Sequence, residues 1–230
     1  AEIGAENVYD FSLGNPSVAP PQAVEDAIAQ LLQGKDMTAL HGYTSGPGDM
    51  ATREAIAAHI RGSFGVPADA AHIYMTCGAA ASLTISLSAI CNAGDEVITF
   101  APYFTEYKVF TETAGARLLA LPSDPATFQI DFAALEGALS PKTAAVLVNS
   151  PNNPSGVVYG RETVKKLAAL LAEKSAEYGR TIYLISDEPY RELVYGGVEV
   201  PYLPAYYKDT FVCYSYSKSL SLPGERIGYI

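Results

Sequence analysis

Apolar and polar positions along this chain switch repeatedly between a period of two and a period near 3.6. Short apolar runs bounded by turn residues predict strands at HIYMT (72–76), EVITFA (96–101), RLLAL (117–121), TAAVLVN (143–149), TIYLIS (181–186) and FVCYS (211–215), with RIGYI (226–230) as a further strand. Between them the spacing predicts helices from Ala79 to Cys91, from about Phe104 onward, and around Phe132–Leu139. The clearest helix is Arg161–Tyr178, where Val164, Leu167, Ala168 and Leu171 share one face and Gly179 follows as a stop. Residues 1–70 look more irregular, with helices near Gln22–Gln33 and Asp49–Arg61, so we divide the chain into an N-terminal segment (1–70) and a core (71–230). Strand–helix alternation of this kind predicts an α/β fold: a mostly parallel, twisted sheet with helices on both faces.

Composition narrows what such a fold is for. Of 230 residues, 49% are hydrophobic and 17% charged, enough apolar material for a sizeable core. The formal charge of −10 argues against nucleic acid and against anionic membrane surfaces as partners. No apolar run approaches the roughly 18 residues of a spanning helix. The opening AEIGAENVYD has neither half of a secretory signal. Cys77, Cys91 and Cys213 lack metal-type spacing and read as reduced thiols of a cytoplasmic protein. His41, His59 and His72 form no i,i+4 pair, so no metal site is expected. RIGYI ends the sequence without a polar tail, which leads us to expect a further C-terminal portion.

Unusual polar residues collect where the strands end, and in an open parallel sheet ligands sit at the carboxyl ends of the strands. HIYMT is followed by Cys77-Gly78-Ala79-Ala80, TAAVLV by Asn149-Ser150-Pro151-Asn152-Asn153-Pro154-Ser155-Gly156, TIYLIS by Asp187-Glu188-Pro189-Tyr190, and FVCY by Ser215-Tyr216-Ser217-Lys218. Singly, these are a close-packed turn, a loop, an N-cap and a surface charge. Together they offer an anion-type helix N-terminus, amides, a carboxylate, a phenol, hydroxyls and a lysine, an inventory that suits a ligand with a phosphate, an acidic ring nitrogen and a carbonyl. Lys218 lies among Ser215, Ser217, Ser219, Leu220 and Leu222, which is no charged face.

The stretch from Ser215 through Lys218 to Pro223-Gly224-Glu225-Arg226-Ile227-Gly228 resembles the Schiff-base signature of class I/II aminotransferases, pyridoxal-phosphate (PLP) enzymes of fold type I. Gly14-Asn15-Pro16, Tyr43 with Gly48, Gly78, Pro102-Tyr103-Phe104, N-x-P-N-N-P-S-G and D-E-P-Y follow in that family's order, so the resemblance spans essentially the whole chain. It implies the large domain of such an enzyme, without its small domain. It implies Lys218 as the Schiff-base lysine and proton carrier, Asp187 facing the ring nitrogen, and Tyr190 and Asn153 donating to the ring's 3-oxygen. Ser215, Ser217, Arg226 and the amides of Gly78, Ala79 and Ala80 would hold the phosphate, and Phe104 would stack on the ring. Tyr107 would line the same pocket beside the substrate, Gly14 and Asn153 would approach the substrate, and Tyr43 would reach the phosphate of a neighbouring subunit in a homodimer. Ala79 and Ala80 depart from the hydroxyl or amide side chains common after that glycine. The arginine that binds the substrate carboxylate has no counterpart in this chain, because the family keeps it in the small domain.

The implied activity is amino transfer between an L-amino acid and a 2-oxo acid. A C–S β-lyase on the same scaffold and a PLP-binding regulator without turnover stay open. Ser215-x-x-Lys218 also fits the S-x-x-K of penicillin-recognising serine enzymes, but the S-D-N and K-T-G partners are absent: Ser186-Asp187 runs on to Glu188, and Lys142-Thr143 to Ala144.

Overall fold

The computed structural model describes residues 3–4, 7–9, 14–33 and 36–230; the other parts of the expected N-terminal segment lie outside the described residues. Helices before the core are α1 (Gln22–Leu32), α2 (Met37–Leu40) and α3 (Met50–Phe64). Asp49 caps α3 by accepting from Thr52 N at 2.9 Å, and Gly65 ends it in the left-handed region at φ 68°. The core alternates β1 (Met75–Thr76), α4 (Ala79–Ile90), β2 (Glu96–Ala101), α5 (Glu106–Thr113), β3 (Arg117–Pro122), α6 (Phe132–Ala138), β4 (Thr143–Asn149), α7 (Arg161–Tyr178), β5 (Tyr183–Asp187), β6 (Thr210–Ser215), α8 (Tyr216–Ser219) and β7 (Gly228–Tyr229).

Among the described residues these strands form one sheet in the order β1-β7-β6-β5-β4-β2-β3. The pairs β2–β3, β2–β4, β4–β5 and β5–β6 are parallel, as the strand–helix alternation requires. β7 runs antiparallel between β1 and β6. Every residue of β4 is buried, and its alternate side chains feed two cores. Val146 and Val148 pack with Val164, Leu167 and Leu171 of α7 on one face, while Ala145 and Leu147 pack with Leu83 and Leu87 of α4 on the other. That division is why TAAVLVN reads as a continuous apolar run instead of an alternating one.

Three expectations needed adjustment. HIYMT is a strand only over Met75–Thr76; Ala70–His72 forms a 3₁₀ turn capped by Asp69. β1 lies at the sheet edge, and its sole neighbour β7 offers two residues to pair with. RIGYI likewise contributes only Gly228–Tyr229, because Arg226 takes a left-handed φ of 53° that interrupts extended chain. The turn of helix α8 after β6 was not foreseen.

At the amino ends of the strands, Arg180 Nη1 and Nη2 grip both oxygens of Asp95 at 2.8 and 2.5 Å, joining the end of α7 to the start of β2. This hydrogen-bonded partner holds the Asp95 carboxyl down at about 2, against 3.8 normally. A depressed carboxylate stabilises the fold above its unfolded value and loses that contribution as pH falls from about 4 to about 2. Asp95→Asn is therefore expected to cost on the order of 1–2 kcal/mol at pH 7 and much less near pH 2, read from urea midpoints at the two pH values.

Candidate active site

Because β7 reverses direction, Arg226 just before it arrives at the same sheet edge as the carboxyl ends of β1, β4, β5 and β6. There a cavity of about 250 Å³ is lined by Ala79, Ala80, Phe104, Asn153, Asp187, Tyr190, Ser215, Ser217, Lys218 and Arg226. A wider opening of about 500 Å³ adjoins it, walled by Gly14, Asn15, Pro16 and Leu193. Asn153, Tyr190 and Lys218 border both spaces.

Lys218 stands on α8, whose N-terminus is capped by Ser215 Oγ accepting from Ser217 N at 3.2 Å. Ser215 Oγ also donates to Ser217 Oγ at 2.8 Å, and the Tyr214 and Ser219 hydroxyls meet at 2.9 Å. Lys218 Nζ donates to the Gly14 carbonyl at 2.5 Å, so the lysine is aimed at the outer opening. Gly78 opens α4 at φ 93° with no side-chain cap, leaving the helix amides to a ligand. A Cβ at Gly78 would stand 2.9 Å from Arg226 Nη2, so only glycine lets the guanidinium lie against this turn. Backbone carbonyls of Pro223 and Cys77 accept from Arg226 at 3.1 and 3.3 Å and fix its plane.

Asp187 ends β5 with only 5% of its surface exposed. Its Oδ2 accepts from Tyr107 Oη at 2.5 Å, and its Oδ1 is buried without any partner. Burial raises its carboxyl from 3.8 to about 7; the Tyr107 hydrogen bond opposes this, and the Glu188 charge adds to it. Asn153 Nδ2 donates to Tyr190 Oη at 3.3 Å. Burial, assisted by the Asp187 charge, raises the Tyr190 phenol above its ordinary value, so it stays a hydroxyl at neutral pH.

The sequence profile described as "Aminotransferase class I and II" matches residues 6–230. The chain belongs to the class I and II aminotransferases. It is 34% identical over 228 residues to an aspartate aminotransferase of Thermotoga maritima, covering 98% of this chain and 58% of that protein. A probable aspartate aminotransferase of Methanocaldococcus jannaschii is 29% identical over 229 residues, covering 99% of this chain and 58% of that protein. An amino transferase from Eubacterium rectale superposes with a TM-score of 0.95 at 58% identity, over 99% of this chain and 57% of that one. This chain thus spans little more than half the length of the relatives it matches.

Class I and II aminotransferases use pyridoxal 5′-phosphate. The residues present fit it. The orphaned Asp187 Oδ1 is an acceptor waiting for a buried donor, which a protonated pyridine nitrogen provides. Gly78 and Arg226 form a cradle of the right sign for a phosphate.

Of the fourteen site residues singled out from sequence, eleven line the cavity or its opening, and Gly78 stands behind Arg226 at the cavity wall; Tyr107 and Tyr43 do neither. Tyr107 was expected to line the pocket and instead lies beneath it, 1% exposed, because α5 turns that face inward against β4 and β5. Tyr43 is fully exposed and does not line the cavity of its own chain. Asn149 had been quoted but given no role. Its Nδ2 donates to the Asp187 carbonyl at 2.9 Å and its Oδ1 accepts from Asn153 N at 2.6 Å, tying two of the expected cofactor contacts together. An asparagine closing a fully buried strand was the available signal. Glu188 and Arg191 were also passed over; this buried pair, with Ser186 Oγ donating to Glu188 at 2.7 Å, braces the turn carrying Tyr190.

Proposed function

We propose that the full protein transfers an amino group between an L-amino acid and a 2-oxo acid, with pyridoxal phosphate as its cofactor. The observation that carries this reading is one cavity holding Lys218 at its mouth and a buried carboxylate with a free oxygen at its base. Bound in it, the cofactor supplies an electron sink for the charge that develops at the substrate Cα. Asp187 keeps the proton on the ring nitrogen; its burial disfavours a lone carboxylate, and the positive nitrogen offsets that cost. Asn153 and Tyr190 donate to the ring's 3-oxygen. Ser215, Ser217, Arg226 and the first amides of α4 hold the phosphate, and the Phe104 ring packs against the pyridine face. Lys218, bordering both spaces, is the group placed to take the proton from the substrate Cα on its Nζ. Gly14 approaches the substrate from the outer opening.

The relatives carry names that include aspartate/prephenate aminotransferase and arginine–pyruvate transaminase. Amino transfer is what those names share, and it is what we propose here. A cytoplasmic homodimer belongs to the same proposal. Tyr43, fully exposed on its own chain, is in the right state to reach a partner's phosphate, and Cys77, Cys91 and Cys213 are free thiols. No described helix is long and apolar enough to cross a membrane.

Adding pyridoxal phosphate to the full-length protein, reducing with borohydride and mapping the labelled peptide tests the reading. A pyridoxyl adduct confined to Lys218 is the expected result. No adduct, or a scatter over several lysines, would overturn the cofactor assignment.

A further inference from the structure

Tyr107 does not touch the cavity, yet it touches what defines it. Its phenol donates to Asp187 Oδ2 at 2.5 Å, while its ring meets Phe104 edge-on, with centroids 5.6 Å apart and planes at 79°. The Tyr103 ring lies nearly parallel to it at 6.3 Å, and Leu83, Leu87, Val97 and Ile185 belong to the same packed cluster. At 1% exposure no rotamer is open to it that would carry the hydroxyl elsewhere.

We propose that Tyr107 is the positioning residue of the cofactor site. It commits one oxygen of Asp187, so that the other is presented to a protonated ring nitrogen, and it sets the ring of Phe104 against the same cofactor. This rests on the pyridoxal-phosphate reading above. A buried carboxylate with no donor at all would rotate freely between its two oxygens and favour its neutral form. One fixed donor removes the first problem, opposes the second and leaves a single acceptor. Tyr107 can serve only as that donor. Burial, joined by the Asp187 charge, holds its phenol well above the ordinary range, so it does not compete to be the anion. The other titratable groups near Asp187 are Glu188, Cys213 and Tyr190. Glu188 is occupied by Ser186 and Arg191, and burial keeps the Cys213 thiol protonated. Neither they nor the Tyr190 hydroxyl donates a hydrogen bond to the Asp187 carboxylate among the described residues.

The test uses full-length protein loaded with pyridoxal phosphate labelled with ¹⁵N at the ring. Tyr107→Phe keeps the ring contacts and deletes only the donor. We expect cofactor affinity to fall about 5- to 30-fold, the range for losing a hydrogen bond to a charged group. The ring-nitrogen resonance is expected to move toward the unprotonated position, since a more basic Asp187 draws the proton away. 3-Fluorotyrosine at 107, a stronger donor on the same ring, is expected to move it the opposite way; it decides the matter should the phenylalanine variant fail to fold. Tyr103→Phe, which removes a stacked neighbour's hydroxyl, is expected to leave both readouts unchanged. Wild-type affinity and wild-type nitrogen shift in Tyr107→Phe would overturn the proposal, as would an unmoved shift with 3-fluorotyrosine. Failure of the cofactor reading is separate and shows in the wild type, as no pyridoxyl adduct on Lys218.

Discussion

Lys218→Ala is expected to slow amino transfer by at least about 10²–10⁴-fold, the contribution of a positioned proton-transfer group. It is also expected to end covalent attachment of the cofactor. The fold should survive the change. The cap from Ser215 to Ser217 N and the Tyr214–Ser219 contact hold α8 without using the lysine side chain. The one bond lost, to the Gly14 carbonyl, lies at the mouth of the cavity, where water replaces the donor. Non-covalent cofactor binding should persist, since the phosphate cradle of Gly78 and Arg226 and the Asp187 acceptor are untouched. Single-turnover kinetics of each half-reaction, with mass analysis after borohydride, read both effects. Turnover within tenfold of wild type would mean that another group moves the Cα proton and that Lys218 has been given the wrong part.

Asp187→Asn should separate stability from function in opposite directions. Asp187 carries a raised carboxyl of about 7 because it is buried. For a raised group, stability is greatest below the unfolded value and declines as pH climbs from about 4 through about 7. Asparagine is isosteric and neutral and can still accept from Tyr107, so the cofactor-free variant should lose that decline and be at least as stable as wild type at pH 8. Cofactor binding should suffer, because the charge facing the ring nitrogen is gone. Removing one partner of a buried, hydrogen-bonded charge pair costs about 2–5 kcal/mol, roughly 30-fold to a few thousand-fold in affinity. Urea denaturation of cofactor-free protein at pH 5 and pH 8, beside equilibrium cofactor titrations, gives both numbers. A variant that binds the cofactor as tightly as wild type would remove Asp187 from its assigned place.

Such a trade is common where a site stores an unfavourable group for later use. The fold carries it on rigid material. Asp187 closes β5, Asn149 closes β4 and Ser215 closes β6, each at the end of a strand paired on both sides. Asn149 then links Asp187 to Asn153, so the group proposed to meet the ring nitrogen and a proposed donor to the 3-oxygen are held as one unit. That coupling is the kind of supporting shell a precise site needs.

The α/β class, the main strands and helices, and the residues that meet at the strand ends were all legible in the order of the residues. Period and turn residues are local properties. A parallel sheet collects its carboxyl ends on one edge, so placing Gly78, Asn153, Asp187 and Lys218 together needed no coordinates. Tertiary structure alone decided three things. The reversal of β7 brings Arg226 to that edge, and no local pattern states a strand's direction. β1 is two residues long because its neighbour has two to offer, a limit set by pairing across some 150 positions of sequence. Tyr107 lies under Asp187 and not beside the substrate, because a tyrosine on an amphipathic helix reads alike whether its hydroxyl meets solvent or a buried carboxylate. Only the packing of α5 against the sheet chooses between them.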